Sequence, residues 1–399
     1  MHEMRRRVGM IDALRGWSLL GILLANMLIF QYGIWGKDQI RLYELSTFDL
    51  IWRGILNVTV EHSFMPVFSF LFGYSMVKLK ESLEAQGLKA GRHLFRRSIL
   101  LLTLGWLHAE WLWEGDVLGY YGLMSFFLLL FLGRKAKTLL VWGVLLLSLF
   151  GLMALLPSDS GPGSGLFEDK ARMEAYVKET IPIYAGGTYE EIRHHSNTAS
   201  PLDENNFLIA AVLIFAPFMT APLFLLGMYG AKKQWFQQPD QERSRYRRRM
   251  LLFLPVGLML KSLGYLGLGE SWSESGEMLG GNLLALGYIF AFAWICALTK
   301  PSSVWLARLE ATGRLSLTNY LMQSVIGTTL FYGYGFGWFG RLGVLAGCAI
   351  ALVIYAVQLY CSAWYLRRFG MGPVERLLRM GTYLTVSARS KPKNTTLSS

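Results

Sequence analysis

Long blocks of apolar residues constrain this chain more than any other feature of its sequence. The clearest block, LLVWGVLLLSLFGLMALL over residues 139–156, carries no charged side chain. About 20 such residues in a helix cross the roughly 30 Å hydrocarbon core of a bilayer. Strands of a lipid-facing barrel would alternate polar and apolar residues with a period of two, and this block does not. The blocks therefore predict membrane-spanning helices.

The composition indicates the same class of protein. Charged residues make up 17% of the chain and hydrophobic residues 53%, whereas an ordinary soluble domain has about 25% charged residues. So few charges cannot cover the water-facing surface of a protein of 399 residues. The sequence thus predicts an all-α, polytopic integral membrane protein. It excludes a soluble enzyme, a disordered chain and a coiled coil.

Ten apolar segments of the required length can be drawn along the chain. They cover residues 10–31, 62–78, 97–113, 117–133, 138–156, 206–230, 250–268, 277–299, 313–332 and 342–366. An even number of spans places both termini on one side of the membrane. The predicted organisation is an N-terminal membrane half (1–156), an extracytoplasmic insert (157–205), a C-terminal membrane half (206–384) and a tail (385–399).

The distribution of basic residues indicates the orientation. Of the 39 Lys and Arg residues, 29 fall in or beside the termini and the loops that follow even-numbered spans. Cytoplasmic loops carry such an excess of positive charge, so both termini are predicted to be cytoplasmic. In a membrane protein the net charge of +12 does not indicate nucleic acid. The basic run at residues 232–249 is expected to attract anionic lipid headgroups, with RNA or protein binding as the alternative.

The first span, IDALRGWSLLGILLANM, contains ionisable residues, each of which costs roughly 2.5–3.5 kcal/mol at mid-bilayer on insertion scales. Asp12 and Arg15 are three residues apart and can pair on one helix face. Asn26 lies on the order of 16 Å beyond Arg15 along the helix. These residues either line a polar cavity that opens to the cytoplasm, or they form a tethering ion pair and an interhelical amide contact.

Two histidines near the outer ends of the second and third spans are candidate general bases. His62 is either such a base or an interface histidine. His108 precedes Glu110, Glu114 and Asp116. A carboxylate that orients a histidine and stabilises its cation is what general-base chemistry requires. His108 is therefore either a catalytic base or a packed, hydrogen-bonded histidine.

The ninth span opens with GRLSLTNYLMQS. Arg314, at its cytoplasmic edge, is either a positive-inside anchor or a phosphate clamp, and Asn319 and Gln323 share one helix face. Lys261 in the seventh span is expected to snorkel to an interface, and the cytoplasmic FGMGPVERLLR stretch at residues 369–379 reads as a turn. The histidines show no metal-ligand spacing and no nucleotide-binding or hydrolase motif occurs, so neither a metal site nor ATP-driven work is predicted.

Four motifs, taken in order, resemble a known family. They are IDALRGWSLLGILLANM, FSFLFG, GWLHAEWLWEGDVLGYYGL and the C-terminal GRLSLTNYLMQS…LFYGYGFG…GPVERLLR. This set is similar to the bacterial YeiB-like family, whose C-terminal half is classed as a domain of unknown function. By resemblance that family belongs to a wider group of membrane acyltransferases, which includes the lysosomal heparan-glucosaminide N-acetyltransferase. The resemblance implies a multi-pass protein of the bacterial cytoplasmic membrane.

The wider group moves an acyl group from cytosolic acyl-CoA, for example acetyl-CoA, to an acceptor on the far side, such as an envelope glycan. Arg15 and Asn26 match the spacing of its lysosomal-type branch, but the position of that branch's catalytic histidine falls near Lys37 here. His108, within a Gly–x–x–His…Gly–Asp pattern, is the best substitute, and His62 is the second.

The resemblance implies three sets of functional residues. The CoA phosphates would contact Arg15, with its neighbour Asp12, and Arg314. The thioester and its developing oxyanion would be held by Asn26, Asn319 and Gln323. Acceptor activation would fall to His108, oriented by Asp116 or Glu110.

Two other functions remain open from the sequence. A secondary transporter or exporter of a small envelope metabolite would also have many spans, a polar midline and no ATP motif, although the two halves show no recognisable internal repeat. A non-catalytic membrane scaffold is the third interpretation, and it leaves the buried polar residues of the first span unexplained. The Gly-rich tenth span could pack against a second copy in a homodimer.

Overall fold

The computed structural model describes residues 2–155, 170–201, 206–266, 270–300 and 302–385, and within these ranges every regular element is a helix. The prediction of an all-α fold is thus confirmed. Residues 386–399 of the predicted tail and residues 157–169 of the predicted insert lie outside the described part of the chain.

The longer helices of the described residues are named here in chain order. They are α1 His2–Tyr32, α2 Thr47–Thr59, α3 Phe64–Ala85, α4 Ala90–Trp111, α5 Leu118–Leu129, α6 Ala136–Met153, α7 Lys170–Gly186, α8 Tyr189–Thr198, α9 Asn206–Lys232, α10 Pro239–Lys261, α11 Glu270–Leu298, α12 Val304–Arg314, α13 Ser316–Phe331, α14 Val344–Phe369 and α15 Pro373–Tyr383. Short 3-10 turns follow α1 and α10.

Six stretches of the described residues are long and apolar enough to cross a bilayer, judged by length and composition. They are Gly9–Tyr32, Thr47–Ala85, Ala136–Met153, Pro239–Leu266, Ser271–Leu298 and Val344–Phe369. Large apolar side chains on these stretches, such as Leu252, Met259 and Val353, are exposed on the outside of the bundle. A surface of this kind suits lipid rather than water, so the protein is a multi-pass membrane protein.

Three local expectations from the sequence differ from the structure. The predicted ninth span, residues 313–332, is interrupted at Leu315, where α12 ends and α13 begins. The GPVERLLR segment, which reads as a turn, instead forms α15, with Pro373 in its first turn, where a missing N–H costs nothing. Lys261 does not snorkel; it is buried, and its ammonium group donates to the backbone carbonyls of Asn57 and Glu61 near the end of α2.

Helix α1 lies at the centre of the bundle, and its first turns contact α12 at van der Waals distance. A Cβ atom at Gly16 would lie 2.0 Å from the Leu309 carbonyl oxygen, and one at Gly313 would lie 1.8 Å from the Asp12 carbonyl oxygen. The Tyr355 hydroxyl of α14 also donates to the Gly16 carbonyl at 2.7 Å. This close packing holds the beginning of α1 beside the end of α12.

The bundle has two ends that matter for the site. The end called here the basic end gathers the beginnings of α1 and α4, the end of α3, and α12 and α15. The opposite end, called here the insert end, gathers the ends of α1 and α4 with α7 and α8. Several contacts attach the insert there; among them, the Tyr184 hydroxyl donates to Glu114 at 2.9 Å, and the Arg193 guanidinium lies 2.6 Å from the Glu110 carboxylate.

Candidate active site

A buried histidine–carboxylate pair lies near the insert end. His108 Nδ1 lies 2.8 Å from Asp116 Oδ1, and both side chains are at most 3% exposed. An imidazole that donates from Nδ1 to a carboxylate presents its Nε2 lone pair as a base. Nε2 is buried and has no hydrogen-bond partner among the described residues. A buried polar atom without a hydrogen-bond partner requires an explanation. A role in receiving a proton from a substrate would explain the free Nε2 atom.

The two residues meet because α4 and α5 approach closely. A Cβ atom at Gly105 would lie 1.9 Å from the Gly119 backbone nitrogen, so a larger residue at this position would force the helices apart. The approach brings the beginning of α5 alongside the end of α4, and there the Gly119 N–H donates to Asp116 Oδ2 at 2.7 Å. This hydrogen bond orients the Asp116 carboxylate toward His108.

Tyr320 of α13 completes this group. Its hydroxyl donates to Asp116 Oδ1 at 3.3 Å and accepts from the Val117 N–H at 3.2 Å, while its ring lies 5.5 Å from the His108 ring. Sequence reasoning missed Tyr320. The pattern of the ninth span does place it beside Asn319, but nothing in the sequence shows which face of α13 meets α4 and α5.

A cavity of about 230 Å³ reaches this group from the basic end. Tyr320 and Val117 form part of its wall at one end, and Arg15, Arg97 and Arg314 line the other. Between them the wall is mainly apolar, with side chains from α1, α3, α4 and α5: Leu19, Ile22, Phe68, Phe72, Leu101, Leu118 and Tyr121. Along α4, Arg97 and His108 are on the order of 16 Å apart. The cavity therefore runs from a cluster of positive charges to Tyr320, whose hydroxyl contacts the Asp116 of the histidine–carboxylate pair.

A wider vestibule of about 500 Å³ shares the same arginines and adds Arg379 of α15. Two carboxylates belong to its lining. Asp12 pairs with Arg15 at 2.8 Å, and Glu375 accepts from the Leu317 and Thr318 N–H groups at the beginning of α13. Both carboxylates thus have partners already, and the vestibule keeps an excess of positive charge.

Two arginines of the vestibule were absent from the sequence prediction. Arg97 has no ion-pair partner within the described chain, and the Arg379 Nε atom is buried without a hydrogen bond there. Of the predicted pair, Arg15 also donates to Ser75 at 2.7 Å, and Arg314 donates to the Gly370 carbonyl at 3.2 Å. Arg97 is the first residue of a predicted span and Arg379 ends a predicted turn, so nothing in the sequence indicated that the two side chains converge.

The amide side chains proposed for the thioester lie elsewhere. Asn319 donates to Ser362 at 3.0 Å, and Gln323 donates to Gln358 at 2.8 Å, so both connect α13 to α14. Asn26 lines neither the cavity nor the vestibule, and its side chain makes no hydrogen bond within the described ranges. The geometry gives Asn319 and Gln323 a part in helix packing, away from the His108 group.

His62 lies apart from His108, in an ionic cluster at the insert end. Its Nδ1 atom is 3.6 Å from Glu277, and its side chain is 52% exposed. The neighbouring Glu61 pairs with Arg53 and lies 3.9 Å from Lys37. His62 also adopts a φ of 56°, which is uncommon for a residue other than glycine. The structure therefore brings together His108, Asp116, Arg15, Asp12 and Arg314 along one path, and it leaves His62 outside that path.

Comparison with known proteins identifies relatives without a described activity. A family model described as "Protein of unknown function (DUF418)" matches residues 230–385. The chain is 33% identical over 395 residues to the uncharacterized protein YxaH of Bacillus subtilis, with 95% of each chain covered. It is 28% identical over 393 residues to the uncharacterized protein YeiB of Escherichia coli, with 93% of this chain and 95% of that one covered. No solved structure matches the chain.

Proposed function

The chain belongs to the YeiB-like family of uncharacterized bacterial proteins, and from that premise we propose that it is a membrane acyltransferase. It takes an acyl group from acyl-CoA at the basic end and delivers it to a nucleophile at the insert end. One observation carries the proposal: a single cavity runs from the arginines to Tyr320, which contacts the Asp116 of the His108–Asp116 pair.

The basic end suits the phosphates of the donor. Coenzyme A carries a diphosphate and a 3′-phosphate, and arginine binds phosphate oxygens through paired N–H donors. Arg15, Arg97, Arg314 and Arg379 line the vestibule, so several phosphate oxygens can be contacted together. The apolar wall between these arginines and Tyr320 suits the extended pantetheine arm and a short acyl group such as acetyl.

The chemistry follows from the free nitrogen of His108. Nε2 removes the proton of the acceptor hydroxyl or amine, and the acceptor oxygen or nitrogen forms a bond to the thioester carbonyl carbon. The carbon–sulfur bond then breaks, and the CoA sulfur leaves with the proton that the imidazolium returns. Asp116 holds the ring in the required tautomer and stabilises its cation during the reaction.

Tyr320 has two roles in this proposal. Its ring stands between the cavity and His108, so the side chain turns aside when the thioester approaches Nε2. Its hydroxyl is also the polar group of the cavity wall next to the pair, and it can donate to the developing oxyanion in place of Asn319 and Gln323. A well-placed donor of this kind contributes about 3–4 kcal/mol to transition-state stabilisation.

The orientation completes the proposal. The excess of Lys and Arg at the basic end supports a cytoplasmic position for that end and for both termini, on the side of the membrane where acyl-CoA is found. The protein then lies in the bacterial cytoplasmic membrane, with about ten spans and with α7 and α8 outside. The acceptor is a component of the envelope or of a glycan. No metal takes part in this mechanism.

A secondary transporter is the alternative, because the His108–Asp116 pair is buried and lines neither the cavity nor the vestibule, as expected of an occluded binding site. The two functions are separated by calorimetric binding of acetyl-CoA to the detergent-purified protein, followed by transfer of labelled acetyl groups in proteoliposomes. We expect saturable binding, and His108→Ala should abolish transfer while the protein stays folded and binds acetyl-CoA. Full transfer by a folded His108→Ala protein would refute the assignment of His108 as the catalytic base. Absence of acetyl-CoA binding, together with flux of a small metabolite, would favour the transporter.

A further inference from the structure

A second, small cavity lies at the insert end, and Trp113 separates it from His108. The Trp113 ring belongs to the cavity wall, and its centroid lies 6.3 Å from that of His108, edge to face. The other walls come from the end of α4, from α7 and α8, and from the loop after α13. The volume is about 30 Å³, which is room for one or two water-sized groups. This cavity is called the outer cleft below.

Two polar groups of the outer cleft have no partner beyond each other. The Trp113 indole Nε1 and the Tyr332 hydroxyl are both buried and lie close together, but they are not aligned for a full hydrogen bond, and neither reaches another partner within the described ranges. A buried N–H group without an acceptor costs about 1–3 kcal/mol. Such groups are rare in native proteins and commonly mark the place of a bound water or ligand atom.

The same cleft contains a buried carboxyl group. Glu114 lines it and has one hydrogen bond from a side chain of the described chain, from the Tyr184 hydroxyl at 2.9 Å. Burial raises the pKa of the Glu114 carboxyl above its usual range. No arginine or lysine pairs with this carboxyl within the described residues, whereas the nearby Glu110 is occupied by Arg193 at 2.6 Å. Glu114 therefore keeps acceptor capacity that faces the cleft.

We propose that the outer cleft binds a hydroxyl group of an uncharged ligand, with Trp113 Nε1 donating a hydrogen bond to its oxygen and Glu114 accepting a hydrogen bond from its O–H group. The role of this ligand in catalysis rests on the proposed function. In that function, the ligand is the acyl acceptor. A hydroxyl both donates and accepts, and so satisfies an indole N–H and a carboxyl together. An ammonium group has no lone pair for Trp113 and would leave that N–H unpaired.

The rim of the cleft suits the rest of such a ligand. Tyr189 and Tyr334 pack against each other with ring centroids 5.7 Å apart, and the Arg193 guanidinium lies 4.3 Å over the Trp111 ring. Aromatic faces of this kind pack against the C–H groups of an uncharged ligand. Because the cleft itself holds only the hydroxyl end, the remainder of the molecule stays at this rim, on the insert side of the membrane.

The test uses saturation-transfer NMR on the full-length protein in detergent, with glycerol and myo-inositol as uncharged probes and ethylamine, which has an ammonium group and no hydroxyl, as the amine probe. We expect saturable binding of at least one uncharged probe. Glu114→Gln and Trp113→Phe should each weaken it at least tenfold, and Tyr332→Phe, which removes a single oxygen atom, should weaken it less. The control is Glu190→Gln, an exposed carboxylate on α8 outside the cleft, and its binding should match the wild type.

Two results would overturn the inference: no saturable binding of either uncharged probe by the folded wild-type protein, or equal binding by the wild type, Glu114→Gln and Trp113→Phe. Selective binding of ethylamine would overturn the hydroxyl assignment as well. Acetyl-CoA binding is measured on the same samples, so the two proposals fail separately. If the wild-type protein binds an uncharged probe but not acetyl-CoA, the acyltransferase proposal is refuted. If it binds acetyl-CoA but neither uncharged probe, the outer cleft is refuted as the acceptor site.

Discussion

His108 Nδ1 lies 2.8 Å from Asp116 Oδ1, although a helix end and a turn separate the two residues in the chain. The turn that joins them also carries Trp113 and Glu114, which line the outer cleft. One short segment therefore supplies the proposed base, its orienting carboxylate and two groups of the proposed acceptor site.

Replacement of Asp116 by asparagine should impair the chemical step. The amide cannot stabilise an imidazolium, and it can pair with the wrong His108 tautomer, so we expect the rate of acyl transfer to fall by at least about 10²-fold. Acetyl-CoA affinity should stay within about twofold of the wild type, since Asp116 lies away from the arginines. Single-turnover transfer and calorimetry measure the two quantities. Unchanged transfer would show that His108 needs no orienting carboxylate.

Replacement of Arg97 or Arg379 by glutamine should weaken donor binding. A hydrogen bond to a charged group contributes about 1.5–3 kcal/mol, so each variant should raise the Kd for acetyl-CoA at least about tenfold. The matched control is Arg376→Gln, because Arg376 lies on the same helix as Arg379 but is exposed and outside the vestibule. Equal affinities for all three variants would contradict a phosphate site at the basic end.

Replacement of Gly105 by alanine should disrupt the site through the backbone. The added Cβ would lie 1.9 Å from the Gly119 nitrogen, and backbone atoms cannot give way as a side-chain end can. We expect a lower midpoint of thermal unfolding and loss of transfer. Gly91→Ala on the same helix is the control, because a Cβ there has no neighbour within 4 Å; it should be neutral or stabilise by up to about 1 kcal/mol. Similar unfolding midpoints for both variants would contradict the close approach of α4 and α5.

Acidification should loosen the insert through His195. Burial lowers the pKa of its ring below the usual value near 6.5, while Glu179 opposes and His194 reinforces this shift. The unfolded insert then binds a proton at a higher pH than the folded one, so the stability that His195 contributes above pH 6.5 declines as the pH falls through its unfolded pKa.

Hydrogen exchange of α7 and α8 measures this effect. Protection should fall between pH 7.5 and pH 5.5 in the wild type, and the change should be smaller in His195→Phe, which keeps a ring against Tyr176. His194→Gln is the control. A pH dependence that persists undiminished in His195→Phe would assign the effect to another group.

Local sequence patterns predicted the helices well, because each follows from neighbouring residues. Each predicted apolar block overlaps a helix of the structure, and six stretches of the described residues are long and apolar enough to cross a bilayer. The exceptions arise from contacts between distant segments. The Glu375 carboxylate on α15 accepts a hydrogen bond from the backbone at the beginning of α13. This contact lies beside the break between α12 and α13 at Leu315, and it involves α15, which forms where the sequence suggests a turn.

The sequence by itself determined that this protein is a helical, multi-pass membrane protein, and it singled out His108 and Asp116, because a polar residue in an apolar stretch is visible without a fold. Only the tertiary structure decided which polar residues converge: it brought Arg97, Arg379 and Tyr320 to the path and placed Asn319 and Gln323 in helix packing. The physical reason is that lipid and neighbouring helices are both apolar surroundings. Hydropathy therefore shows which residues enter the membrane, but not which helix face meets which partner.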